Sequence, residues 1–394
     1  MNVGIVTTWF ERGAAYVSRQ YMNLLEANGH HVFIYARGGE KQAQGDVNWD
    51  KSRVTWGKVS QVPYATAIDR KDFLRWITNN SLNVVLFNEQ HWMPPVIWAR
   101  DAGLLTVAYI DYYTEKTIPF FAVYDGLVCN TKRHYSAFDW HDQCIYVPWG
   151  TNIELFNMKH RSISDSAEFV FFHSAGMNPY RKGTDLAIDA VSRMKNKSLL
   201  IIHSQVNLIN ELQEKSELIT KLLNEKKIRI IEGDITAPGL YYLGDAYVYP
   251  SRLEGIGLTQ VEALASGLPL IAPDFPPMNE FVNEETGVAI PIDRLWSRSD
   301  GYYWPMCQVN VDHLSNAMDM MVTSAGFFDK KIKARRYAES ALDWSINGKT
   351  FVCWLESIKP VKVDSTLKNL IYNYYPSDTN LYWMRSKIKK ILGL

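Results

Sequence analysis

An α/β chain of two doubly wound halves is what this sequence predicts, and three observations predict it. Short apolar runs of strand length recur along the chain. Amphipathic stretches of helix length separate several of them, as parallel strands joined by crossovers require. The pattern then restarts after a polar interval, "NMKHRSISDSAE" (157–168).

The first run, Val3 to Thr7, reads as a buried strand. The turn "WFERG" follows, and then a helix with Val17, Tyr21, Leu24 and Leu25 on one face. Gly29 stands where a C′ glycine ends a helix, and "HHVFIYA" is the next strand. This is a βαβ unit, whose crossover is right-handed. "NVVLFN" (83–88), "LLTVAYI" (104–110), "DGLVCN" (125–130) and "CIYVPWG" (144–150) continue the first half. In the second, "FVFFHSAG" (169–176) is strand and turn, and "GTDLAIDAVSRM" is a helix aligning Ala187, Ala190, Val191 and Met194. "SLLIIH", "IRIIEG", "DAYVYPS" and "LPLIAP" are strands, with "TQVEALAS" helical between the last two. "KKIKARRYAESALDWSINGKTFVCWLESI" reads as helical, anchored by Trp344 and Trp354.

Composition narrows the function. The 394 residues are 47% hydrophobic and 13% aromatic, enough for sizeable cores and inconsistent with global disorder. Lys plus Arg and Asp plus Glu are 42 each, so no overall basic field points to nucleic acid. Cys129, Cys144, Cys307 and Cys353 lie far apart in sequence without a C-x-x-C pair, which fits reduced thiols better than zinc or a disulfide framework. No secretory signal or spanning segment is visible, so a cytoplasmic protein is expected. In the tail "MRSKIKKILGL", Met384, Ile388, Ile391 and Leu392 share one helical face, with Arg385, Lys387, Lys389 and Lys390 elsewhere. Such a helix suits peripheral contact with an anionic membrane surface, or docking on its own protein.

Ligands of open α/β sheets bind beyond the carboxyl ends of the strands, and the residues expected there can be named. Gly13 and Ala14 open a helix whose free N–H groups favour an anion, although a glycine that eases a strand-to-helix turn fits equally. "NEQHW" places Asn88, Glu89 and His91 at one strand end and "DYY" places Asp111 at the next; these polar groups suit a sugar-hydroxyl site or a general base. His91 reads equally as a satisfied structural histidine. In "SAGMNPYRKGTD", Gly176 turns the chain and Arg181 and Lys182 precede a helix, as a diphosphate clamp or a solvated basic turn. Gly233 and Asp234, at the end of "IIEGDI", would hold a flat base through main-chain contacts. "EGIGLTQVE" (254–262) combines two glutamates with a narrow loop. Gly255 and Gly257 let a phosphate approach the amides of Leu258 and Thr259, while Glu254 and Glu262 would take sugar hydroxyls. Thr259 and Glu262 also fit a capping box. No Asp-x-Asp metal motif lies at these strand ends.

The stretch "PSRLEGIGLTQVEALASGLPLIAPDFPPMNEFV" resembles the signature of retaining glycosyltransferases of family 4, P-S-x-x-E-G-F-G-L-x-x-x-E-A-M-A-x-G-x-P. "RGAAY", "VPWGTNIELF" and "RKGTDLAIDA" resemble further family motifs in the same order, over roughly residues 1–355. The resemblance implies a GT-B architecture: two Rossmann-like domains, a cleft between them, and a C-terminal helix crossing back to the first. It sets an acceptor domain at 1–160, a donor domain at 161–335, a crossing helix at 336–360 and an extension at 361–394. It implies sugar transfer from a nucleotide-diphosphate sugar to a glycan or lipid-linked acceptor, in surface polysaccharide synthesis, with retention of configuration and neither metal nor cofactor. By position, Lys182 would bind the diphosphate, Glu254 the transferred sugar, the amides near Gly257 and Leu258 a phosphate, and Glu262 the ribose. His91 and Asp111 would face the acceptor. The sequence departs from the pattern at Met177, where the family has arginine, so that Arg181 would supply the charge. It departs again at Ile256, at Trp149 and in "FNEQH". Residues 294–308 fall outside the pattern. The same scaffold would also serve a sugar-nucleotide epimerase, a phosphorylase or a non-catalytic glycan-binding protein.

Overall fold

The computed structural model describes residues 1–158 and 168–376. The chain forms two compact units. The first comprises Met1–Asn130, His134–Val147 and the segment from Gly348; the second comprises Thr131–Arg133 and Pro148–Asn347. The second unit therefore takes up the chain at Pro148, ahead of the polar interval. Nine residues of that interval, 159–167, and the basic tail lie outside the described residues.

The first unit is built on seven parallel strands: β1 (Asn2–Thr7), β2 (His31–Ala36), β3 (Val54–Trp56), β4 (Val84–Asn88), β5 (Leu105–Tyr109), β6 (Gly126–Cys129) and β7 (Cys144–Tyr146). Their order is β3-β2-β1-β4-β5-β6-β7. Strand order reverses between β1 and β4, which makes the carboxyl ends of those two strands the binding edge. Parallel strands are covered on both faces, which is why β4 and β5 read as unbroken apolar runs.

The second unit repeats the plan with β8 (Phe169–Gly176), β9 (Ser198–Ser204), β10 (Ile228–Glu232), β11 (Ala246–Val248), β12 (Leu270–Pro273) and β13 (Gly287–Ile290), in the order β10-β9-β8-β11-β12-β13. Phe171, Leu200, Ile202, Val248 and Ile271 from its strands pack with Leu186, Leu314 and Met318 from its helices. Its reversal point lies between β8 and β11. Residues 294–308, outside the sequence pattern, mostly form an antiparallel hairpin of β14 (Ile292–Trp296) and β15 (Met306–Val309).

One expectation changes. The helical stretch over residues 330–358 is two helices, Phe327–Ala341 and Trp344–Ser357. The break occurs because Leu342 O accepts from Thr151 N (2.7 Å) and Trp344 N donates to Thr151 O (3.0 Å), taking both groups out of the helical ladder. Trp344 packs on Trp149 in the second unit (4.6 Å between centroids) and Trp354 lies near Phe351 in the first (5.8 Å). Cys129 and Cys144, distant in sequence, bring their sulfurs to 3.8 Å across neighbouring strands, as free thiols. The short β3 and β13 also join the sheets, each too brief to show a period.

Candidate functional site

At the reversal point of the second unit, β8 leads through the turn 177–183 into the helix Thr184–Arg193. Gly183 caps that helix at φ +69°, and a Cβ there would sit 2.0 Å from Pro250 O. Only glycine lets the turn lie so close to the segment after β11. That segment then grips the turn. Arg252 N donates to Arg181 O (2.8 Å), and Ser251 Oγ lies 3.2 Å from the same oxygen. The buried Arg252 guanidinium makes a bidentate pair with Asp185 (2.7 and 2.6 Å) and lies 4.0 Å from the Tyr180 ring centroid. Arg181 and Lys182 are thereby fixed at the sheet edge.

Both cations converge on Glu254. Its Oε1 accepts from Lys182 Nζ at 2.8 Å, Arg181 Nη1 at 2.9 Å and Ser251 Oγ at 2.5 Å. Arg181 also donates to Leu253 O (2.7 Å), and Lys182 to Tyr249 Oη (3.2 Å). Burial alone would raise the Glu254 carboxyl, but Arg181 and Lys182 outweigh it and hold the pKa at about 2. Burial pulls the Lys182 ammonium below its ordinary value, with Glu254 opposing. Met177, where the resembled pattern has arginine, is 61% exposed.

The helix Leu258–Ala265 begins beside this triad. Its N-cap is Gly257, at φ +91°, with no side-chain cap. The capping-box reading of Thr259 and Glu262 is therefore corrected: Thr259 lies inside the first turn rather than at the N-cap, so its side chain is not placed to accept from the Glu262 N–H. The Glu262 carboxylate instead accepts from Tyr241 Oη at 2.5 Å. Burial pushes the Glu262 carboxyl up, while the Tyr241 bond and the Lys182 charge oppose it. Gly255 and Ile256 lie in the loop between, with Ile256 buried. Gly176 O accepts from Gln205 N (3.0 Å). On the far side of β9, Asp234 accepts from Gln205 Nε2 (2.7 Å), and Gly233 O lies 2.9 Å from His203 Nε2.

In the first unit, the helix Gly13–Ala27 starts just after β1 with Arg12 as an extended N-cap. Asn88 is turned inward: its amide donates to Ala14 O (2.9 Å) and Ser18 Oγ (2.7 Å), so it ties β4 to that helix. Glu89 adopts φ +50°, an uncommon conformation for a side-chain-bearing residue, and lies 3.6 Å from Arg12. His91 Nε2 lies 4.0 Å from Asp111 Oδ2. Burial raises the Glu89 carboxyl, the Asp111 charge adds to this, and Arg12, Arg37 and His91 counter it. Glu89, His91 and Asp111 thus stand together at the ends of β4 and β5, with Arg12 beside Glu89 from the end of the first strand-to-helix turn.

Sequence reasoning found both glutamates and both cations. It gave no role to Ser251, although Ser251 is the serine of the P-S-x-x-E pattern, and it missed Tyr241 and the Arg252–Asp185 pair, whose contacts no spacing marks. Among the described residues, no three His, Cys, Asp or Glu side chains group as metal ligands would.

Residues 157–294 match the family model described as glycosyl transferases group 1. Solved structures are similar along nearly the whole chain. Sucrose-phosphate synthase from Thermosynechococcus elongatus aligns with TM-score 0.67 at 16% identity, covering 90% of this chain and 98% of that one. Anabaena Alr3699/HepE, in complex with UDP and glucose, aligns with TM-score 0.71 at 15% identity, over 91% and 100%. WaaG, a glycosyltransferase involved in lipopolysaccharide biosynthesis, gives 0.61 at 15% identity, over 89% and 98%. The fold is GT-B. A curated relative, the lipopolysaccharide core biosynthesis mannosyltransferase LpsB of Rhizobium meliloti (strain 1021), is 30% identical over 129 residues. That stretch is 31% of this chain, and the chain spans only 37% of the relative's length. The matched segment contains Arg181, Lys182, Glu254 and Glu262.

Proposed function

We propose that this GT-B protein transfers a hexose from a nucleotide-diphosphate sugar to a glycan or lipid-linked acceptor, with retention of configuration, without metal or cofactor, in surface polysaccharide synthesis. The observation that carries this reading is the convergence of Arg181 and Lys182 on Glu254 at the β8/β11 reversal point. The names of the relatives support it, one a mannosyltransferase of lipopolysaccharide core synthesis and one a structure holding UDP and glucose.

In this reading Arg181 and Lys182 turn from Glu254 to the donor diphosphate, Arg181 standing in for the arginine that Met177 replaces. The amides at the start of the helix Leu258–Ala265 add their donors and positive dipole end. Glu254, released from the cations, accepts from hydroxyls of the transferred sugar, and Glu262 from the ribose. The bond from C1 to the diphosphate oxygen breaks as the acceptor oxygen bonds C1 on the same face. The acceptor proton passes to the departing phosphate oxygen, so no protein nucleophile is needed. Lys182 and Arg181 stabilise the charge that develops on that oxygen. Glu89, His91 and Asp111 serve the acceptor hydroxyl. No helix among the described residues is long and apolar enough to cross a membrane. The reading puts the protein in the cytoplasm, with the basic residues 385–390 favouring an anionic inner surface.

The test is a panel of sugar nucleotides, read by thermal shift and by donor hydrolysis or transfer. One class of nucleoside diphosphate should raise the melting temperature and its sugar should be released slowly in water. No stabilisation by any of them refutes the proposal, and conversion of donor to a new sugar nucleotide without acceptor replaces it with an epimerase.

A further inference from the structure

Glu262 is held by a partner that comes from outside its own helix. Tyr241 opens the short 3-10 turn Tyr241–Leu243, on the connection from β10 to β11 that also carries Gly233 and Asp234. Its ring is 6% exposed and wedged edge-on against Phe156, Phe172 and Tyr247, with centroids 6.0, 5.6 and 5.9 Å away. Its hydroxyl is thus delivered from a rigid aromatic wall to Glu262 Oε2 at 2.5 Å.

We propose that Tyr241 is a positioning residue for the nucleotide ribose, orienting the Glu262 carboxylate so that the site selects ribonucleotide donors over 2′-deoxyribonucleotide donors. The inference rests on the reading of Glu262 as the ribose ligand. An ionised carboxylate offers about four acceptor sites. Tyr241 fills one on Oε2, and the rest suit two vicinal hydroxyls, which both donate. Burial, with the Glu262 charge adding to it, pushes the Tyr241 phenol well above its ordinary range, so it acts as a donor throughout the working pH range.

The bond has a second consequence. Lys182 lies close enough for its charge to act on Glu262. A glutamate without Tyr241 is free to swing toward that ammonium. It would then neutralise a cation meant for the diphosphate and turn away from the ribose. Tyr241 keeps the two functions of the site apart.

The experiment uses the full chain and calorimetric titration with UDP, GDP and ADP. The tightest binder and its 2′-deoxy form are then compared in wild type, Tyr241→Phe and Glu262→Gln. Wild type should prefer the ribo form by roughly tenfold, the worth of a hydrogen bond to a charged group. Tyr241→Phe keeps the ring, and should lower ribonucleotide affinity by more than that of the 2′-deoxy form, which keeps only one of the two hydroxyls, so the preference shrinks. A purely structural tyrosine would weaken both forms equally, and an unchanged ratio in Tyr241→Phe overturns the proposal. If Glu262→Gln also keeps the wild-type ratio, the ribose reading of Glu262 falls, and Tyr241's role falls with it.

Discussion

Replacing Glu254 by glutamine keeps its shape and removes its charge, and the geometry fixes what should follow. The carboxyl has a folded pKa of about 2 against an ordinary 4.5. At about 1.4 kcal/mol per pKa unit this corresponds to roughly 3 kcal/mol of stabilisation near neutral pH. The sign follows from the depressed value: the contribution is fully present above the unfolded-state pKa and is lost as pH falls through about 2. Glu254→Gln should therefore lose up to roughly 3 kcal/mol at pH 7, a fall of about 6–12 °C in the melting temperature of a domain of this size. The loss is capped because Lys182, already pulled down by burial, can shed its proton once Glu254 no longer opposes that. A bound nucleoside diphosphate returns negative charge to the same two cations. It should raise the melting temperature of the variant more than that of wild type, where it must first displace Glu254. Sugar turnover should meanwhile fall by about 10²-fold or more, since the proposed function assigns Glu254 to the transferred sugar. Thermal unfolding with and without diphosphate, paired with donor hydrolysis, measures all three. An unchanged melting temperature, or a smaller diphosphate shift in the variant, would refute the view that one carboxylate holds both cations.

Arg252→Met should cost about 3–5 kcal/mol, because it strands the buried Asp185 carboxylate, and adding Asp185→Leu should recover much of the stability. A denaturation midpoint for each variant checks this. Gly183→Ala should cost about 1–3 kcal/mol from its left-handed backbone alone and more from the clash with Pro250 O. Its diphosphate affinity should fall as well, because Lys182 is the adjoining residue. Asp111→Asn should lower transfer to acceptor by at least about tenfold while leaving nucleoside diphosphate affinity unchanged, in separate transfer and titration assays.

The fold was legible because its evidence is periodic. Runs such as "NVVLFN" and "FVFFHSAG" are apolar without alternation, as strands covered on both faces must be. The site was half legible, and the division has a physical cause. Glu254, Gly257 and Glu262 sit on one loop and helix, so their spacing is set by local geometry and is written in the sequence. Tyr241, Asp185 and Arg252 reach the site from different elements, and their pairing depends on how two strand-to-helix turns pack. The capping-box reading failed for a related reason. A threonine followed three residues later by glutamate satisfies the local rule, but Gly257 caps the helix two residues earlier than that rule needs. Tyr241, from a separate connection, then claims the carboxylate. A short polar motif names which residues can cap; tertiary partners decide whether they do. The same principle bears on Met177. Its arginine counterpart is missing from the motif, yet the charge has not left the site, because Arg181 reaches the same carboxylate from four residues further along the turn. The positive charge at the sheet edge is supplied in this chain by Arg181 and Lys182, both on the turn 177–183.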